Sequence, residues 1–174
     1  RRHTRYIGDW SSDVCSSDLY SEGMESYLQN KNLKDSNSVK ELIISELEIG
    51  QIRLDGRLLI EFFDIFNEIN DDKNIKINMQ KLLSLDKWIL SSKDSVEIRE
   101  QQTQMAKSLF DLTKEFGFKY LYEVNKKSSW PLAWSWACYC FEIAKLEMVE
   151  NFFYAWSANQ LSAALRIIPI RSEE

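Results

Sequence analysis

Apolar residues along this chain recur every three or four positions over long stretches, and few residues interrupt that rhythm. After Ser36 and Ser38, which suit helix N-caps, Val39, Ile43, Leu47 and Leu54 fall near helical spacing. Leu58, Leu59, Phe62, Phe63, Phe66 and Ile69 then mark a wide apolar face closed by the polar run 70–73, with Gly56 expected to loosen the backbone where the first helix passes to the second. Met79, Leu82, Leu83 and Trp88 predict a helix over 78–90, and 91–94 reads as a loop. From Ser95 onward, Ile98, Met105, Leu109, Leu112 and Phe116 keep one face until Gly117, a good C-terminal stop. Two helices follow Pro131, one through Phe141 and one over 146–168, where Val149, Phe152, Phe153, Trp156, Ala163 and Ile167 line one side. There is no alternating strand pattern and no internal repeat. The reading is an all-α, single-domain bundle of about six to seven helices, incomplete at both ends.

The two ends of the chain have a different character. Trp10 to Leu19, WSSDVCSSDL, back-translates without mismatch to TGG AGT TCA GAC GTG TGC TCT TCC GAT CT, which resembles a widely used sequencing adapter. Upstream, RRHTR fits AGA CGG CAT ACG AGA of the same oligonucleotide, and the stretch between leaves room for a sample barcode. The closing RSEE fits AGA TCG GAA GAG, the start of the adapter on the other side. Residues 1–19 and 171–174 are therefore expected to be non-biological, leaving 20–170 as the protein.

That division changes the chemistry on offer. The only histidine, His3, and Cys15 fall outside the retained segment, which holds 18 basic and 22 acidic residues, a net charge of −4. A mildly acidic domain without a basic run is a poor nucleic-acid ligand, so no nucleic-acid partner is expected. No apolar run reaches the roughly 20 residues that cross a bilayer, so no membrane association and a cytoplasmic location are expected. Without imidazole, Ser-His and Cys-His nucleophilic arrangements are excluded within 20–170, and the glycines never cluster into a phosphate loop.

Cys138 and Cys140 invite a metal reading, since thiolates bind soft transition metals. On a helix, residues two apart point roughly 200° away from one another, so small buried apolar roles are expected instead. Trp130, Trp134 and Trp136 are likewise expected to pack in a core or partner interface rather than line a cofactor box. Glu97, Arg99, Glu100, Gln101, Gln102 and Gln104 make the start of the long helix unusually polar, which fits a solvated face and a recognition surface about equally. Asn159, Ser162 and Arg166 follow i, i+3, i+7 spacing and form one polar stripe. If the stripe faces inward, Arg166 needs a carboxylate, with Glu25 or Asp55 the candidates; the alternative is a solvent-facing stripe.

Four segments in order resemble the UreF family of urease accessory proteins. Tyr20-Ser21-Glu22-Gly23-Met24-Glu25 is similar to its YSxGLE motif, and Arg53 to Leu59, RLDGRLL, resembles RxDxPLL. Residues 97–109, EIREQQTQMAKSL, resemble ELRxQSxQMGRSL through Arg99, Gln101 and Gln104, and 156–169, WSANQLSAALRIIP, resembles WxxNxxSAAxRxxP through Trp156, Asn159, Ser162, Arg166 and Pro169. The chain departs at three places: Arg57 for proline, Ala106 for glycine, and the pair Ser135-Trp136 for a Phe-Gly step. The resemblance implies an interaction protein without catalytic, metal or cofactor residues of its own. Its implied role is to assemble with UreD (also called UreH) and the GTPase UreG as a dimeric adaptor that delivers nickel to apo-urease. The alternative is a helical protein-interaction adaptor unrelated to nickel.

Overall fold

A computed structural model describes residues 36–71, 74–119 and 127–167, the side chains of Arg166 and Ile167 excepted. Among the described residues the structure is all-helical, with α1 Ser36–Ile49, α2 Gln51–Asn70, α3 Ile75–Ser91, α4 Val96–Glu115, α5 Trp130–Cys140 and α6 Lys145–Ile167. No helix among them is long and apolar enough to cross a membrane. The described residues divide into two compact units, 36–53 with 153–167 and 54–152, so the boundaries fall inside α2 and inside α6.

The first helix is shorter than its periodicity predicts. It ends at Ile49, and the passage to α2 is made at Gly50, while Gly56 lies buried inside α2. The reason is steric. A Cβ at Gly50 would sit 2.6 Å from the Glu46 Cα, closer than real side chains come, so only glycine permits this one-residue turn. The turn is closed by the Gly50 N–H on the Glu46 carbonyl at 2.9 Å and the Arg53 N–H on the Gly50 carbonyl at 3.2 Å. In this unit Val39 and Ile43 of α1 form a small core with Ala163 and Ala164 of α6, flanked by Leu42, Leu47 and Trp156.

The larger unit is centred on α5, whose residues 131–138 are all buried. A helix that is apolar all round belongs inside a bundle rather than on its surface. The apolar face of α2 buries Leu58, Leu59, Phe62, Ile65, Phe66 and Ile69, as its pattern predicts. Fully burying side chains of this size stabilises a fold by about 1.5–3 kcal/mol each. Phe66 meets Trp136 edge-on at 5.2 Å between ring centroids, and the Ser135 hydroxyl donates to the Leu59 carbonyl at 3.1 Å. Ser135 and Trp136, where the sequence departs from the family pattern, are thus held by a hydrogen bond and a ring contact. Ala106 is also fully buried, and α4 packs against α5. On the other side, Trp134 donates its indole N–H to the Met148 carbonyl at 3.2 Å and packs on Phe152.

Helix α3 begins at Ile75, earlier than predicted, because Asn74 adopts the left-handed conformation (φ 50°, ψ 43°) that asparagine tolerates and so starts the helix without a polar side-chain cap. Helix α4 has the expected Ser95 N-cap, its hydroxyl accepting the Ile98 N–H at 3.2 Å, and Gly117 (φ +88°) follows its end. Phe116, read as the last member of the buried face, is instead 54% exposed and lies edge-on to Phe141.

Candidate functional site

Asp55 and Arg99, one from each of the two central motifs, converge on a residue that neither motif contains. Asp55 of α2 is buried, and both its carboxylate oxygens accept hydrogen bonds from Lys93 Nζ at 2.7 Å. Lys93 lies in the α3–α4 turn and is itself buried, each side chain of the pair being 4% exposed. Arg99, one turn into α4, donates from Nη1 to the Lys93 carbonyl at 2.7 Å, and the Arg99 carbonyl accepts the Thr103 hydroxyl. The turn is tightened further by the Ser92 hydroxyl on the Ile89 carbonyl. A buried charge pair of this kind is tolerable only when each charge is met by its partner at close range. Here two chelating contacts fasten the α3–α4 turn to α2.

Asp55 thus has in Lys93 a buried partner that the sequence reading does not anticipate, the lysine reaching the carboxylate at both oxygens. The candidate pairing with Arg166 lies outside the described residues. Glu25, with Tyr20, Ser21, Gly23 and Pro169, lies outside the described residues, as does the Arg166 side chain. Of the stripe that Arg166 belongs to, Asn159 is half-buried and Ser162 exposed, while the buried polar residue on α6 is Gln160. Arg53 is exposed and donates to the Glu48 carbonyl. Trp156 packs half-buried against the small α1–α6 core.

The polar start of α4 is also more divided than a solvated face. Gln101 is half-buried and Gln104 exposed, whereas Gln102 is 2% exposed and faces inward with Met105, Ala106 and Leu109. Its Oε1 has no hydrogen-bond partner among the described residues. Glu97 is held below the usual carboxylate range by its own backbone N–H and then by the Ser95 hydroxyl, as an acid in the first turn of a helix should be.

A second buried carboxylate, Asp86 of α3, has no counterpart among the residues that the sequence singles out. It accepts the Ser129 N–H at 2.8 Å. The Ser129 hydroxyl in turn accepts the Leu132 N–H at 3.3 Å and caps α5. Burial pushes the Asp86 carboxyl above its ordinary value, and hydrogen bonds from Ser129 and Ser128 pull part of the way back. The signal in the sequence is an acid at the helical spacing of Leu82 and Ile89, a position reserved for the core.

Cys138 is buried and Cys140 half-buried, and neither is in a disulfide. Burial pushes both thiols up to about 12, with the neighbouring Cys140 adding to the effect at Cys138. Protonated thiols are poor nucleophiles and poor metal ligands. No group of three or more His, Cys, Asp or Glu able to hold a metal ion occurs among the described residues.

The arrangement defines an all-helical protein whose described buried acids, Asp55 and Asp86, fasten helices to one another. The UreF family model matches residues 33–172, and the chain belongs to that family of urease accessory proteins. It is 87% identical over 153 residues to the urease accessory protein UreF of Prochlorococcus marinus strain MIT 9312, a match covering 88% of this chain and 67% of the relative. It is 66% identical over 153 residues to UreF of P. marinus subsp. pastoris strain CCMP1986, again with 88% and 67% covered. The UreF of Microcystis aeruginosa strain NIES-843 is 24% identical over 151 residues, covering 87% of this chain and 64% of the relative. The chain thus spans about two thirds of the length of these curated relatives. No solved structure matches it.

Proposed function

We propose that the protein acts as a non-catalytic adaptor in urease maturation, assembling with UreD (UreH) and the GTPase UreG to deliver nickel to apo-urease in the cytoplasm. The observation that carries the reading is the 87% identity to a urease accessory protein along 88% of the chain. The buried acids are consistent with it, since Asp55 and Asp86 each have a structural partner in the fold. We take 20–170 as the biological part, flanked by translated adapter; matches of 151–153 residues fit that span. The motif residues Tyr20, Glu25, Arg53, Gln101, Gln104, Asn159 and Arg166 are retained as candidate partner-interface or structural positions, and the intact protein is taken to be a homodimer.

Deleting the full-length gene from its host and measuring urease activity and urease-bound nickel tests this directly. The expected result is inactive, nickel-poor urease, restored by the gene in trans. Normal nickel loading in the deletion strain at ordinary nickel supply would refute it. Nickel is expected to be handled by the assembly, so calorimetry should find no submicromolar Ni²⁺ binding to this chain alone. Stoichiometric tight binding lost on Cys138→Ser would reverse that expectation.

A further inference from the structure

Helix α3 exposes two adjacent rows of side chains, each at i, i+4, i+7, i+11 spacing. The first carries Ile77, Lys81 and Trp88, the second Lys76, Leu83 and Lys87, and the remaining position in each row is neutral and polar. All eight positions are exposed. Ile77 is 64% exposed and Trp88 52%. The only acid on the helix, Asp86, is buried against Ser129 on the opposite side. Every exposed charge of α3 is therefore positive, in a chain whose net charge is −5. On α2, Glu61 pairs with both Arg57, 70% exposed at its side chain, and Lys81, which leaves Lys76 and Lys87 as the other exposed charges of the α3 face.

We infer that this face is a docking surface for an acidic protein surface with an apolar socket that receives Trp88. The inference rests on the maturation role proposed above and assigns one contact within it. Charge complementarity selects the occupant. Two copies of this chain meeting through the face would set lysines against lysines, a repulsive contact. A bilayer fits less well than a protein: Lys81 lies in the same row as Ile77 and Trp88, so inserting that row would carry its ammonium into the apolar layer. A carboxylate on a protein partner can meet Lys81 while the two apolar residues are covered. Tryptophan at the centre of a contact with charges around it is the arrangement in which the aromatic anchors binding and the lysines steer approach.

The experiment uses the full-length protein, with UreD, UreG and apo-urease of the same host as probes, and vesicles of phosphatidylserine as a separate arm. The variants are Trp88→Ala and the combined Lys76→Glu, Lys81→Glu and Lys87→Glu, all at exposed positions, with unfolding midpoints checked first; Lys76→Gln with Lys87→Gln serves if the triple variant is unstable. The expected result is that both changes weaken capture of one of the three proteins at least tenfold, and that charge reversal also flattens the salt dependence of its association. Unchanged affinity for all three, with wild-type binding intact, overturns the inference and leaves the adaptor role standing. Loss of vesicle binding with protein capture unaffected overturns it in favour of a lipid surface. If the wild-type protein captures none of the three, the maturation reading falls and this contact falls with it.

Discussion

Lys93 and Asp55 stand 38 residues apart in sequence and meet through two 2.7 Å hydrogen bonds in an environment that leaves each side chain 4% exposed. Removing either partner strands a buried charge, which is far costlier than losing a surface ion pair. Lys93→Met and Asp55→Asn are each expected to destabilise the full-length protein by about 3–5 kcal/mol in urea unfolding. Their effects should combine to less than the sum. Strict additivity would mean the two residues do not act as a unit.

Arg99 acts on the same turn through the backbone. Its guanidinium holds the Lys93 carbonyl at 2.7 Å, so Arg99→Ala is expected to cost about 1.5–3 kcal/mol, the usual worth of a hydrogen bond to a charged group. The loss should shrink in the Lys93→Met background, where the turn is already released. A full-sized loss there would separate Arg99 from the ion pair.

Asp86 gives a pH dependence of definite sign. Its folded carboxyl is raised, so the folded state holds the proton more tightly than the unfolded chain. This group therefore opposes stability at neutral pH, and the opposition is relieved as pH falls through the raised folded value toward the unfolded one. Asp86→Asn, which keeps an acceptor for the Ser129 N–H, should be neutral or slightly stabilising at pH 7 and should flatten that part of the stability profile. Asp86→Ala leaves the N–H buried and unpaired and is expected to cost about 1–3 kcal/mol. A profile identical in wild type and Asp86→Asn would show that Asp86 does not titrate there.

Gly50→Ala should destabilise by about 1–3 kcal/mol in thermal unfolding, because the new methyl meets the Glu46 backbone as well as its side chain. Glu46→Ala should not restore the loss, since the clash with the backbone of residue 46 at 2.6 Å remains. Full rescue by Glu46→Ala would place the conflict in the glutamate side chain alone.

Cys138 and Cys140, with thiols pushed up to about 12, should react slowly with a maleimide at pH 7.5 in the native protein and rapidly in denaturant. Native-state labelling as fast as that of an unfolded thiol would contradict their burial.

The helices are legible in the sequence because Leu58, Leu59, Phe62, Phe66 and Ile69 repeat at the helical period and do bury that face. The Ser95 cap and the Gly117 stop are legible for a related reason: local chemistry alone determines them. The turn at Gly50 is not, since Gly50 and Gly56 look alike until the Glu46 backbone is placed beside one of them. Lys93 is hidden because nothing in a short Ser-Lys-Asp-Ser loop shows that its ammonium reaches back 38 residues to Asp55. Gln102 sits among polar neighbours in sequence, yet it shares a helical face with Met105 and Leu109. Asp55 and Arg99 each lie in a family motif, but Lys93, the residue that both contact, lies between the motifs.

The tryptophans differ sharply in their surroundings. Trp134 and Trp136 are 2% and 4% exposed, whereas Trp88 is 52% exposed on a helix face whose exposed charges are all lysine. Its emission should lie to the red of theirs. The positive field around it should also make iodide a better quencher of that red-edge light than caesium. Trp88 is therefore an intrinsic optical reporter on α3, and protection of the part of the iodide-sensitive emission that a Trp88→Phe variant lacks would register whatever comes to cover that helix, without any label attached.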